Sequence, residues 1–263
     1  MHGLGNDYVY IDCFRDPVPE DIAKLAVTVS DRHFGIGGDG LVLIMRSAVA
    51  DCRMRMFNAD GSEGRMCGNA IRCVAKYVFD EGYVHNNEMR IETLSGIRNL
   101  RVETIDSVVS SVTVDMGEVR CGFIDREITV GDRTFCGTSV DVGNPHFVIM
   151  VDGVNDFDLA KYGPLFEHND LFPDRVNTEI VEKIGANRIR MRVWERGSGE
   201  TMACGTGACA AVTACCCNGV VGRDTCVTVE LSGGFLEIVC TSDDKVYMKG
   251  LATRVFDGEL YFK

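Results

Sequence analysis

Cys67 and Cys204 stand where a side chain of this chain could do covalent or proton-transfer chemistry. Each is followed by glycine and a small-residue stretch with helical pattern, Gly68 to Asp80 and Gly205 to Asn218. A helix that starts just after a cysteine turns its unpaired N–H groups and the positive end of its dipole toward the thiol. That predicts thiols below the free value of about 8.5. For one such cysteine alone, burial as a small apolar residue is the ordinary role. Here there are two, and each follows a Gly-Ser loop, Gly61-Ser62 and Gly197-Ser198. Two equivalent thiols suit one reaction: a thiolate removes a proton from one face of a carbon while the opposing thiol delivers one to the other face. The outcome is stereoinversion, at a site built symmetrically between two halves. The carbanion character would sit beside a carboxylate, whose charge two helix N-termini could disperse, and no cofactor is required.

The elements that must position these thiols come from an internal repeat. Gly5-Asn6-Asp7-Tyr8-Val9-Tyr10-Ile11-Asp12 returns loosely as Gly143-Asn144-Pro145-His146-Phe147-Val148-Ile149-Met150-Val151-Asp152, each a Gly-Asn turn feeding an apolar strand. Asn6 precedes Cys67 by 61 positions and Asn144 precedes Cys204 by 60. Alternating or β-branched runs predict strands at Leu41 to Met45, Arg53 to Phe57, Met89 to Glu92, Val112 to Met116, Arg188 to Trp194, Cys226 to Leu231 and Phe235 to Val239. Further helices are expected at about Glu20 to Arg32 and Phe157 to Phe166. The fold class is therefore α+β, two similar strand-rich domains from an internal duplication, each wrapped around a central helix. The expected halves are 1–113, joined by 251–263, and 114–250.

Other motifs carry less. Gly35-Ile36-Gly37-Gly38-Asp39-Gly40 satisfies G-x-G-x-x-G, but it follows a helix and leads into a strand, the reverse of the dinucleotide-binding order. Gly205-x-Gly207-x-x-Ala210 opens a helix, yet a Gly-Ser loop precedes it instead of a strand end. Both read as fortuitous. Among the thirteen cysteines no C-x-x-C pair occurs, so no metal is expected, and their odd number in a long chain suggests free thiols. The run Cys215-Cys216-Cys217 reads as buried small residues.

Composition excludes several classes. With 46% apolar residues the chain can bury a large core. A formal charge of −12 and a pI near 4.9 would repel phosphate backbones, so nucleic acid is not an expected partner. Met202 to Gly222 holds no charged residue, but Ala, Gly, Cys, Thr and Val would gain little in lipid, so no membrane partner is expected. That stretch fits a central helix instead. The start, Met1 to Asp7, shows neither a basic leader nor an apolar stretch, which points to the cytoplasm.

Five segments together resemble the diaminopimelate epimerase family: Met1 to Tyr8, Asn58 to Glu63, Met66 to Cys73, Gly143 to His146, and Glu195 to Gly197 continuing through Ala203 to Ala208. The resemblance runs over nearly the whole chain. It implies cofactor-independent epimerisation of LL-2,6-diaminoheptanedioate to the meso form, in lysine and peptidoglycan precursor biosynthesis, on a small diamino-dicarboxylate substrate. It implies Cys67 and Cys204 as the acid/base pair, and Asn6, Asn58, Asn69, Asn144 and Asn177 as substrate-holding amides. Arg196 would bind the distal carboxylate, Glu195 would meet the reacting amino group, and Gly68, Gly205 and Thr206 would supply anion contacts. His146 and Glu195 are implied as the groups tuning the thiols. Members usually begin a few residues before Met1, and a homodimer is left open.

Single residues have blander readings too. A Gly-Asn turn often needs only the amide's tolerance of positive φ, a lone histidine after proline is usually a satisfied structural residue, and Glu195-Arg196 could be an exposed ion pair. A proline or hydroxyproline-type racemase would share the paired thiols but receives one carboxylate, where Arg196 and the asparagines imply a second. A cysteine hydrolase would need one nucleophile with a histidine base, not two duplicated thiols. A binding protein of the same fold would have no use for both cysteines.

Overall fold

The computed structural model describes residues 1–261, in two compact units: Met1–Val112 with the segment from Leu251, and Thr113–Gly250. Unit 1 opens with a tight hairpin, β1 (His2–Gly3) and β2 (Asn6–Asp12), paired Gly3 to Asn6. Its two-residue loop places Leu4 at φ 57° and Gly5 at φ 87°. Positive φ at both positions is the turn whose twist matches paired strands. β2 runs parallel to β3 (Gly40–Met45), β3 antiparallel to β4 (Cys52–Asn58), and β4 antiparallel to the short β5 (Glu63–Gly64). β4 is also parallel to β6 (Glu88–Thr93), which turns back as β7 (Gly96–Ile105). Strand β8 (Val108–Glu118) contains the boundary between the units.

Unit 2 repeats this wiring. After β9 (Arg120–Cys121), β10 (Arg126–Val130) and β11 (Arg133–Asp141), strand β12 (Pro145–Met150) runs parallel to β13 (Asn177–Gly185). β13 is antiparallel to β14 (Arg188–Glu195), and β14 to the short β15 (Gly199–Thr201). β14 is parallel to β16 (Cys226–Leu231), which turns back as β17 (Gly234–Cys240) and then β18 (Lys245–Gly250). The helices correspond as well. α1 (Ile22–Ser30) and α3 (Leu159–Glu167) are each capped by an aspartate, Asp21 and Asp158, accepting the N–H of Lys24 and Lys161 at 3.1 Å. That bond satisfies one of the orphan donors of the first turn.

The helix after each cysteine is the one each sheet wraps. α2 (Gly68–Asp80) buries ten of its residues, among them Ile71, Val74 and Val78. α4 (Gly205–Cys217) is buried from Gly205 through Cys215 apart from Thr206. Small residues let strands approach a helix on every side, which is why this charge-free stretch lies inside the protein. Among the described residues no helix is long and apolar enough to cross a membrane. One expectation fails at the end of α4. The cysteines are not all free thiols, because Cys217 is disulfide-bonded to Cys121 on β9. The two are 96 positions apart, so only the folded strand order brings them together.

Unit 2 holds an aromatic cluster of Phe135, Phe147, Phe157, Tyr162, Phe166 and Phe172, with Trp194 packed against it. Phe166 is fully buried, its ring 5.2 Å from Phe135 and 5.6 Å from Phe147. Phe166→Ala should cost about 3–5 kcal/mol. Urea unfolding followed through Trp194, the single tryptophan, checks this, and a loss below about 1 kcal/mol would contradict the packing.

Candidate active site

In unit 1 Cys67 is the N-cap of α2, in extended backbone with φ −131° and ψ 123°. Its half-buried Sγ donates to Asn6 Oδ1 at 3.4 Å. Asn6 opens β2, and its Nδ2 donates to Asp39 Oδ2 at 2.7 Å. Asn69, in the first turn of α2, is buried, and its Oδ1 accepts from Arg72 Nη2 at 3.0 Å. Arg72 is fully buried and also donates to the Gly68 and Leu251 carbonyls. A buried guanidinium is tolerated when its donors are met in this way. Asn58 ends β4, where its Nδ2 donates to Ser62 Oγ at 3.0 Å. The structure thus joins Asn6 to Cys67 directly, ties Asn69 and Gly68 to Arg72, and holds Asn58 within its own turn.

In unit 2 Cys204 caps α4 with the same backbone, φ −116° and ψ 112°, but its sulfur plays the opposite part. Cys204 Sγ accepts the N–H of Gly207 at 3.3 Å, and Thr206 Oγ1 lies 3.4 Å away. Gly207 must be glycine. A Cβ there would lie 2.7 Å from Glu179 Oε1 and 3.2 Å from Cys204 Sγ, so carboxyl and thiol share the space beside the first turn. The Cys204 thiol is held well above its ordinary range, first by burial and then by the charges of Glu195 and Glu179. The N–H of Gly207 and the Thr206 hydroxyl pull the other way and are outweighed. For Cys204 this corrects the expectation of a lowered thiol. Burial and two carboxylates exceed what a helix start supplies.

Glu179 was not visible in sequence. It is fully buried on β13 and its Oε1 is 2.7 Å from His146 Nδ1, while His146 Nε2 is 3.1 Å from Asn144 Oδ1. Its Oε2 has no partner among the described residues, and burial pushes the carboxyl up. The parallel register sets His146 beside Asn177, two residues before Glu179 and so on the same face of β13. Asn177 Oδ1 accepts the backbone N–H of Arg196 at 2.8 Å. The Arg196 guanidinium donates to the Asp174 carbonyl at 2.7 Å and has no carboxylate partner among the described residues. Glu195 ends β14 and accepts from the Thr201 hydroxyl. A second missed acid, buried Glu167, holds the loop beyond: it accepts from Trp194 Nε1 at 2.8 Å and from the N–H of Gly197 at 3.0 Å. Among the described residues no three His, Cys, Asp or Glu side chains gather as metal ligands.

The sequence pattern of the family described as diaminopimelate epimerase matches residues 1–122 and 138–255. The chain belongs to this family. A diaminopimelate epimerase from Desulfovibrio desulfuricans is 49% identical over 280 residues, covering 99% of this chain and 96% of that one. Another from Methanococcus maripaludis is 50% identical over 275 residues, covering 99% of this chain and 98% of its own. The fold extends further than the sequence likeness. The crystal structure of a phenazine biosynthesis protein of the PhzF family from Bacillus anthracis superposes with a TM-score of 0.76 at 15% identity, covering 100% of this chain and 95% of that one. Diaminopimelate epimerase family membership agrees with the two similar strand-rich domains.

The carboxylates around Cys204 have a measurable effect on its reactivity. Only the thiolate is nucleophilic, and the thiol is held up, so Cys204 should alkylate slowly at neutral pH and faster as pH rises. Glu195→Gln removes the carboxylate whose charge acts more strongly on the thiol and should accelerate Cys204 alkylation at pH 7 several-fold. Peptide mass spectrometry after timed iodoacetamide exposure reads this, and an unchanged rate would remove Glu195 from the thiol's surroundings.

Proposed function

We propose that this chain epimerises LL-2,6-diaminoheptanedioate to the meso form by two-base proton transfer between Cys67 and Cys204, as a cytoplasmic step of lysine and peptidoglycan precursor synthesis. The observation that carries the reading is the duplicated helix cap. In two units of corresponding strand wiring, a cysteine occupies the same N-cap position on the central helix. Family membership supports the substrate, and the chemistry follows from the residues.

A thiolate takes the hydrogen from the α-carbon, so a C–H bond breaks and an S–H bond forms. On the other face the second thiol breaks its S–H bond and a new C–H bond forms with inverted configuration. Thiol and thiolate have exchanged roles, and proton exchange with solvent resets them. An α-hydrogen of an amino acid is a weak acid, so the base must be strong. Burial and the carboxylates beside Cys204 serve that end, since a thiol that parts reluctantly with its proton leaves a more basic thiolate. N–H groups of the first turns of α2 and α4, with Gly68, Gly205 and Thr206, receive the carboxylate that takes up the developing charge.

The remaining side chains hold the substrate. Arg196, which has no carboxylate partner among the described residues, takes the distal carboxylate as a forked pair. Glu195 meets the amino group, and Asn6, Asn58, Asn69, Asn144 and Asn177 fix the chain of the substrate. His146, bonded to Asn144 and Glu179, tunes the site together with Glu195. The deciding experiment is conversion of purified LL substrate to meso product by the purified protein without added cofactor, followed by chiral chromatography. No conversion, or conversion only of a proline-type substrate, would refute the reading.

A further inference from the structure

The loop Gly35-Ile36-Gly37-Gly38-Asp39-Gly40, which runs from α1 into β3, delivers one carboxylate to Cys67's partner. Its glycines permit a close course. A Cβ at Gly35 would lie 2.2 Å from the Thr28 carbonyl, and Gly37 sits at φ 86°. Backbone bonds then fix Asp39 on both sides: its N–H donates to the Asp7 carbonyl at 2.6 Å and its carbonyl accepts from Ala59 at 3.0 Å. From that position Asp39 Oδ2 accepts Asn6 Nδ2 at 2.7 Å and the N–H of Asp7 at 3.1 Å. Arg32 Nη2 reaches the other oxygen at 3.4 Å.

An asparagine amide can face a neighbour with its oxygen or its nitrogen, and the two ends have opposite hydrogen-bonding roles. Asp39 Oδ2, already accepting one N–H, fixes the choice. With Nδ2 turned to Asp39, Oδ1 must face Cys67, and it does so at 3.4 Å. The reverse orientation would set two acceptors against each other and leave the Asn6 N–H donors pointing at sulfur. We propose that Asp39 is a positioning residue: it locks the Asn6 amide so that its oxygen faces Cys67 and keeps hydrogen on that sulfur. The role rests on reading Cys67 as an acid/base group. It gives unit 1, through an amide, what carboxylates near Cys204 give unit 2 by charge: a hold on the S–H hydrogen in the direction in which that sulfur is the acid and the other sulfur is the thiolate.

The test is Cys67 alkylation by iodoacetamide at pH 7, read by peptide mass spectrometry, alongside kcat. In Asp39→Ala the Asn6 amide can turn its N–H groups to sulfur. Cys67 should then alkylate roughly tenfold faster, the factor that one unit of thiol acidity gives, while kcat falls about 10- to 100-fold. Asp39→Asn still offers an oxygen to Asn6 and Asp7, so its alkylation should stay within about twofold of wild type, a difference of a few tenths of a kcal/mol. Asn6→Ala removes the acceptor itself and should reproduce the faster alkylation, and adding Asp39→Ala to it should change the rate no further.

An unchanged alkylation rate in Asp39→Ala overturns the proposal. So does an Asp39→Asn protein that behaves like Asp39→Ala, since charge and not orientation would then be responsible. Should Asp39→Ala fail to fold, Asn6→Ala decides alone, and an unchanged rate there overturns it equally. Alkylation needs no turnover. A wild-type protein inactive on LL substrate would refute the proposed function while leaving this result readable.

Discussion

Cys67→Ala and Cys204→Ala should each lose epimerase activity by about 10²- to 10⁴-fold or more, the range that one positioned acid or base supplies. Each thiol is base in one direction and acid in the other, so neither loss can be covered by the remaining sulfur. The two single variants should also lose comparable amounts, and the double variant little more, because groups that act as a unit are not additive. Serine is an informative second substitution. It keeps a hydroxyl of similar size at the N-cap and so preserves the helix start, but its proton is far harder to remove, and activity should fall nearly as far as with alanine. Chiral chromatography of initial rates checks each of these proteins. Near-normal turnover in either alanine variant would mean that the duplicated cysteines are structural.

In deuterium oxide the first meso product formed from LL substrate should carry solvent deuterium at the inverted carbon, while recovered LL substrate stays nearly unlabelled. The reason lies in the two-base arrangement. A thiol equilibrates with solvent before substrate arrives, so the hydrogen it delivers is deuterium, whereas the protium removed from the other face remains on the other sulfur. One base serving both faces would return the same protium to product. A freely exchanging intermediate would label substrate and product alike. Mass spectrometry at low conversion separates the three cases, and early product with mostly substrate-derived protium would exclude Cys67 and Cys204 as opposed acid and base.

What could be read in advance depended on how local its cause was. α2 runs from Gly68 to Asp80 as expected, and α4 from Gly205 to one residue short of the expected end, because caps and small-residue runs are local signals. Strand β16 likewise matches Cys226 to Leu231, where alternation is clean. The β10–β11 hairpin went unread, although its strands join at Gly131 and Asp132 with Gly131 at φ 59°. In the site, the two cysteines with Asn6 and Asn144 announced themselves by repetition, whereas Asn58, Asn69 and Asn177 came only from the resemblance to the family. Asp39, Glu179, Glu167 and Arg72 did not announce themselves, because a lone charge in a strand, loop or helix looks like a solvated face. Only the assembled fold shows that Glu179 and Arg72 are fully buried and that a histidine or a carbonyl waits for each. The disulfide escaped for the same reason.

Unit 1 is discontinuous along the chain, and this sets an order on synthesis. Its first strand is bridged to Thr253 by paired backbone bonds, His2 to Thr253 and back, each 2.9 Å, and Arg72 gives its Nε to the Leu251 carbonyl. Arg254 reaches Glu81 at 2.6 Å. All of these partners leave the ribosome after unit 2 has been made. The contiguous Thr113–Gly250 unit needs no residue that follows it, whereas the half bearing Cys67 must wait, partly assembled, for a segment that follows the half bearing Cys204. A polypeptide released at Gly250 would leave the ribosome with one thiol in finished surroundings and the other in a unit still lacking its closing residues.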